Sequence, residues 1–299
     1  MTFLATLVNG LSLGSIYALI ALGYTMVYGI AKMLNFAHGD IIMIGAFSIF
    51  TCITSLKLPA ILAILIAIVL CTILGITIEF LAYRPLRKAP PLAVLITAIG
   101  VSYFLQNIVL LINKLSNKTT FVFPTNILPD ISLKIGSGDN AIIINANTIF
   151  TFIVTAVIMV ALTLFINKTK MGKAMRAVSE DKETAELMGI SANRTITVTF
   201  AIGSALAAIA GLFYGGTVIS FNHTLGSMPG IKAFVAAVFG GIGSIPGAML
   251  GGIILGIIEK MAEQYISTSL ANAVVFGMLI LVLTFKPTGL LGKKINEKV

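Results

Sequence analysis

The chain has 299 residues, 58% hydrophobic and 10% charged, with a mean hydropathy of +1.04. Soluble globular chains carry about 25% charged residues, so a water-soluble fold that hides this much apolar surface is excluded. The net charge of +9 does not point to nucleic acid, because the basic residues lie in loops between apolar stretches, where the positive-inside rule places them. The expected surroundings are membrane lipid, with no nucleic-acid partner.

A hydrocarbon core about 30 Å thick takes about 20 apolar residues per helix. Runs without Asp, Glu, Lys or Arg approach or exceed that length at 1–31, 58–78, 89–113, 140–167, 195–231, 233–258 and 264–285. Membrane β-strands would appear as shorter alternating segments, and these runs do not alternate. The fold class is therefore all-α, a polytopic helical membrane protein with about nine spans (eight to ten), forming one transmembrane domain over 1–299. The spans are expected near 8–30, 39–56, 58–82, 92–113, 148–167, 196–220, 230–243, 246–263 and 270–286.

In chain order, the first apolar stretch lacks a basic leader and is too long for a secretory signal, so it reads as a retained span. The connection after it, Leu34 to Asp40, holds Asn35, Phe36, His38 and Asp40. Polar groups of this kind within the membrane are expensive unless they bond to each other or to freed backbone. Two readings stand side by side: a pathway or gate element, or a polar surface turn in which His38 or Asp40 caps the next helix. Cys52 and Cys71 have no CxxC spacing and no neighbouring His, so they read as small apolar residues; no metal site, cofactor site or catalytic residue is expected. Glu79 and Glu259 fall near span ends, where snorkelling to water is the simplest reading, and no span carries the row of ionisable residues common in gradient-driven carriers.

Orientation follows the cations. The loop with Arg84, Arg87 and Lys88, the segment 168–195 and the C-terminal tail with Lys286, Lys293, Lys294 and Lys298 are expected on the cytoplasmic side. Together with Lys32 they hold 14 of the 20 basic residues. The loop 114–147, rich in Asn, Thr and Ser, is then external. Nine spans put the N-terminus outside; eight or ten put it inside.

Lys168 to Arg194 is a charged island of 10 Asp, Glu, Lys and Arg residues, followed by 37 residues without one. Within it a helix over 180–188 is expected, N-capped by Ser179, with Glu180, Asp181 and Glu183 in its first turn and Gly189 just past its end. Its apolar strip, Thr184, Leu187 and Met188 with Ala185 beside them, either docks in a groove on a cytoplasmic subunit or packs on the chain's own membrane domain. Farther on, Gly240 to Gly247, with Gly241, Gly243 and Pro246, cannot be regular helix throughout, and a broken helix at depth is tolerated only against protein or a water-filled cavity. The glycine pairs 10/14, 211/215, 247/251 and 252/256 have the spacing of close helix packing. There is no G-x-x-x-x-G-K-[ST] sequence, so any ATP site of that type belongs to another chain.

Gly14 to Ala46, with NFAHGD at its centre, resembles the N-terminal signature of branched-chain amino-acid ABC transporter permeases of the LivH type. Lys173 to Ile190 is similar to that family's coupling loop, with Glu183, Ala185 and Gly189 fitting E-x-A-x-x-x-G. Ile231 to Glu259 resembles its third signature, and KPTGLLGK its usual end. The resemblance implies a bacterial cytoplasmic-membrane subunit with no chemistry of its own, in which Arg176, Asp181, Glu183, Ala185, Leu187, Met188, Gly189 and Ile190 meet an ATPase. It implies a second, homologous permease, two ATP-binding cassette ATPases that hold ATP and Mg, and an extracytoplasmic solute-binding protein. It favours Asn35, Phe36, His38, Asp40, Gly240, Gly241, Gly243 and Pro246 as pathway or gate residues. Branched-chain amino acids are the implied substrates. A urea or short-chain amide permease of the same family is the first alternative, and a gradient-driven carrier and a passive channel are weaker ones.

Overall fold

Each apolar run contains a helix in the computed structural model of the chain, whose described residues are 2–87, 89–115, 120–124, 127, 129, 132–135, 142–218 and 220–292. Lys88, residues 116–119, 125–126, 128, 130–131 and 136–141 of the loop 114–147, and Lys293, Lys294 and Lys298 of the tail lie outside them. The elements are α1 (Thr2–Ala31), α2 (His38–Thr54), α3 (Ala60–Ile78) running into a π-helical turn (Glu79–Tyr83), α4 (Pro91–Leu115), β1 (Ser132–Ile135), β2 (Ile142–Asn145), α5 (Ala146–Lys168), α6 (Lys170–Glu180), α7 (Lys182–Leu187), α8 (Ala192–Gly215), α9 (Ser227–Gly240), α10 (Ile245–Tyr265) and α11 (Ala271–Phe285). Among the described residues six helices are long and apolar enough to cross a membrane: α1, α3 with its π turn, α4, α5, α8 and α10. The apolar helices α2, α9 and α11 are shorter. Each expected span coincides with one of these helices.

The chain divides into two compact units. One comprises Met26–Pro129 and Thr163–Ile231. Its centre is α2, α3 and α8, packed pairwise. The sequence of α3 explains its orientation. Ala63, Ala67, Cys71 and Gly75 recur every fourth residue and are buried, while Ile61, Leu65, Val69 and Ile73 are exposed. Small residues face protein and large ones face outward, the arrangement expected where lipid is as apolar as leucine and helices gain only by close approach. Cys71 donates its S–H to the Ile41 carbonyl at 3.6 Å, consistent with a small core residue. The segment carrying Phe121 is tied to Phe221 by paired backbone hydrogen bonds of 2.9 and 2.8 Å. Around this tie the rings of Phe47 and Phe50 meet Phe121 and Phe221 edge-on.

The other unit comprises Met1–Thr25, Asp130–Leu162 and Lys232–Val299. Here α1 and α10 meet along a glycine seam. A Cβ on Gly14 would lie 2.7 Å from the Ile253 Cα, and one on Gly10 2.8 Å from the Ile257 Cα. From the other side, Cβ atoms on Gly252 and Gly256 would run into Ala18 and Gly14. The expected glycine spacings are thus packing surfaces. Thr155 of α5 donates to the Ser15 carbonyl of α1 at 3.2 Å. The antiparallel pair β1–β2, register Ser132↔Asn145 to Ile135↔Ile142, was not legible in the sequence. Ile142–Asn145 continues an uncharged run into α5, and short apolar segments do not distinguish strand from helix.

Candidate coupling and pathway sites

The charged island folds as two helices rather than one. α6 is amphipathic, capped by the Thr169 side chain accepting from the Gly172 N–H, and buries Gly172, Met175 and Val178. It ends at Glu180, and α7 starts afresh with Asp181 as its N-cap. This corrects the expected helix over 180–188. Ser179 is not the cap but donates to the Arg176 carbonyl within α6. Asp181 wins because extended backbone at this residue (φ −151°) aims its carboxylate at the next turn. There it accepts from the Glu183 and Thr184 N–H groups at 2.9 and 3.0 Å and from the Thr184 hydroxyl at 2.7 Å. The Thr184 hydroxyl and then its N–H hold the Asp181 carboxyl below the usual carboxylate range.

The end of α7 is as expected. Gly189 has φ +82°, and the Ile190 and Gly189 N–H groups bond the Ala185 and Glu186 carbonyls at 3.0 Å each. That is the Schellman closure, which needs a left-handed residue at the glycine. Ala185 turns inward and is buried, whereas Leu187 and Met188 are 87% and 78% exposed. The apolar strip is therefore split: Ala185 seats the helix on its own unit, and the Leu187–Met188 tip is left uncovered within the chain. Arg176, Glu183 and Gly189 are exposed and Ile190 half-buried.

In the same unit, the NFAHGD segment is a buried structure rather than a surface turn. Asn35, His38 and Asp40 are 3%, 1% and 1% exposed, and Phe36 is half-buried. Neither His38 nor Asp40 caps α2: the N-cap position is Ala37, without a side-chain cap bond. Asp40 instead accepts from Gln106 Nε2 of α4 at 2.8 Å, and the same amide group lies 3.2 Å from the Ser102 and Ser227 hydroxyls. The Asn35 Oδ1 accepts from the Tyr83 hydroxyl at 2.9 Å.

The second break belongs to the other unit. α9 stops at Gly240, Gly241 and Gly243 take φ +105° and +93°, and α10 restarts with Pro246 in its first turn and the Ser244 hydroxyl accepting from Gly247 N–H. Gly240 and Gly241 are buried; Gly243 and Pro246 are exposed. The residues after α11 fold back onto this break, Leu290 and Leu291 donating to the Phe239 and Gly240 carbonyls at 2.9 Å each. The freed backbone groups of the break are thus partly satisfied by the KPTGLLG segment.

Two polar clusters were missed by the sequence reading, and both overturn the snorkelling expectation. Glu79 is fully buried; Arg87 and Thr197 serve its two carboxylate oxygens, and Arg87 also reaches Asn193. Glu259 is 4% exposed, bonded to Lys232 Nζ at 2.7 Å and the Tyr17 hydroxyl at 3.0 Å. Proximity to a span end says nothing about which face a residue takes, and here both glutamates face protein. The available signal was Lys232, a lone cation between two uncharged runs, which burial makes costly without an acid.

The sequence matches, over residues 6–283, the family described as branched-chain amino acid transport system / permease component. It is 46% identical over 305 residues to the high-affinity branched-chain amino acid transport system permease protein BraD of Pseudomonas aeruginosa, covering 99% of this chain and 98% of that one. Against LivH of Escherichia coli K12, described in the same words, identity is 45% over 306 residues with the same coverage. Among solved structures, PsaBC from Streptococcus pneumoniae in complex with Fab matches with a TM-score of 0.43 and 15% identity, over 96% of this chain and 91% of that one. On the family match and on relatives aligned from end to end, the chain belongs to the branched-chain amino acid transport permeases, integral membrane proteins built from apolar helices.

Proposed function

We propose that this chain is the membrane-spanning permease subunit of an ATP-driven importer of leucine, isoleucine and valine in a bacterial cytoplasmic membrane. The observation that carries this reading is the end-to-end match at 46% identity to BraD, a branched-chain amino acid permease by name. The partners are a second, homologous permease, two ATPases that bind ATP and Mg, and an extracytoplasmic binding protein that delivers the amino acid. The loop 168–195 and the C-terminus face the cytoplasm. There Leu187 and Met188, exposed on a firmly capped helix, offer an apolar tip to an ATPase groove, in the helix-in-groove mode. Closure of the ATPases on ATP moves α7 as a rigid body, and that motion switches access to the pathway near Asn35, Phe36, His38 and Asp40 and near Gly240, Gly241, Gly243 and Pro246. This chain binds no cofactor and carries out no covalent step.

The test is uptake of labelled leucine and, separately, urea in source cells with and without the gene, each repeated with ATP depleted. Loss of ATP-dependent leucine uptake, restored by the gene, is the expected result. Loss of urea uptake alone would replace the substrate and keep the architecture; retained leucine uptake in the deletion refutes the assignment. Orientation is checked with Ser179→Cys, a position outside the docking tip: an impermeant thiol reagent should label it in inverted vesicles but not in intact cells, the native Cys52 and Cys71 being buried.

A further inference from the structure

We propose that a buried hydrogen-bonded relay centred on Glu79 carries the movement of α7 to the NFAHGD segment, with Glu79, Arg87 and Tyr83 as positioning residues. The inference rests on the coupling role given to α7 above, and every residue in it belongs to one compact unit.

The relay begins where α7 ends. The Schellman closure at Gly189 leads within three residues into α8, whose N-cap Ser191 accepts from the Arg194 N–H and, through its carbonyl, from the Thr195 hydroxyl. A connection this short and this fully bonded transmits displacement instead of absorbing it. The first turns of α8 then present Asn193 and Thr197. Asn193 accepts from Arg87, and the Thr197 hydroxyl donates to Glu79 Oε2 at 2.8 Å, while Arg87 occupies Glu79 Oε1. Glu79 opens the π-helical turn, with the Arg84 N–H donating to its carbonyl at 2.7 Å. Tyr83 closes that turn, fully buried, its ring 5.2 Å from Phe200 of α8 and its hydroxyl on Asn35 Oδ1. Asn35 opens the NFAHGD segment, which leads into α2.

Two physical reasons make this chain of contacts a lever rather than a set of anchors. A buried carboxylate that loses one of its donors is left with an unsatisfied oxygen out of reach of water, at a cost above that of an ordinary hydrogen bond. Displacement of the α8 N-terminus therefore draws Glu79 with it. Glu79 also sits at a π turn, where i→i+5 bonding replaces the regular ladder, a local geometry often found at functional sites. A shift of Glu79 is passed along that turn to Tyr83, and so to the residue that holds the Asn35 side chain.

The test uses the complex purified through this chain with its ATPases and reconstituted in vesicles with the binding protein, so that leucine uptake and ATP hydrolysis are read on one preparation. Glu79→Gln keeps size and acceptor but loses charge; Tyr83→Phe removes a single oxygen and leaves the packing. Each is expected to lower leucine transported per ATP hydrolysed about tenfold, within the usual range of coupling between sites, while the ATPases remain bound. The double variant is expected to be no worse than the more severe single one, because both break the same relay. An unchanged transport-to-hydrolysis ratio, or single effects that multiply in the double variant, would each overturn the proposal. Absence of ATPases from the unmutated complex would overturn the underlying coupling reading as well, and that result is visible before any variant is made.

Discussion

Lys232→Met removes the cation of the buried pair and keeps most of the side-chain volume. Lys232 Nζ and Glu259 Oε1 are 2.7 Å apart, with side chains 8% and 6% exposed. At an effective dielectric constant of about 20 that separation corresponds to about 6 kcal/mol of attraction, much of it offset by the cost of taking both ions out of water. The variant forfeits the attraction and leaves Glu259 desolvated with the Tyr17 hydroxyl as its remaining donor among the bonds described. Breaking one side of a buried pair costs about 3–5 kcal/mol. Spread over an unfolding entropy of about 2.1 cal/mol/K per residue, this lowers the melting temperature by about 5–8 °C. The assay is the fraction of fluorescently tagged protein that survives graded heating, read by size-exclusion chromatography. The double variant Lys232→Met with Glu259→Gln should recover most of the loss, because the amide still accepts from Tyr17 and no charge remains buried. An unchanged melting temperature in the single variant, or a double variant as unstable as the single one, would refute the reasoning.

Leu187→Asp changes an exposed residue and should leave the chain's own melting temperature unchanged while removing the ATPases from the purified complex; undiminished co-purification would return α7 to a role within its own unit. Gly14→Leu drives a side chain into the Ile253 backbone across the α1–α10 seam, where overpacking costs about 1–3 kcal/mol or more, and membrane yield should fall, whereas Gly277→Leu, at a position with nothing within 4 Å of a new Cβ, should express normally. The Asp181 cap is an acid held below its ordinary value. Its contribution to α7 is therefore complete above the unfolded pKa of 3.8 and is lost as pH falls through the lower folded value. Hydrogen exchange of the Glu183 and Thr184 amides should keep its protection to about that pH, and Asp181→Ala should remove the protection at neutral pH.

What the sequence determined by itself is the part of the structure governed by solvent. Uncharged runs about as long as a bilayer is thick became helices, the charged island became an exposed element, and the GGIGSIPG stretch became a break, because each follows from what lipid or water tolerates locally. Gly189 was legible for a similar reason: one backbone conformation after a helix selects glycine. Tertiary structure decided the rest. Ser179 and Asp181 are both good caps by composition, and the choice between them fell to the ending of α6 at Glu180, a packing event. Ala185 and Leu187 are both apolar, yet only the shape of the surface beneath α7 turned one inward and left the other exposed. Glu79 and Glu259 look alike beside any span end, and their partners lie up to 242 residues away in the chain. A buried charge is set by whichever distant residue folding brings to it, and local periodicity carries no record of that meeting.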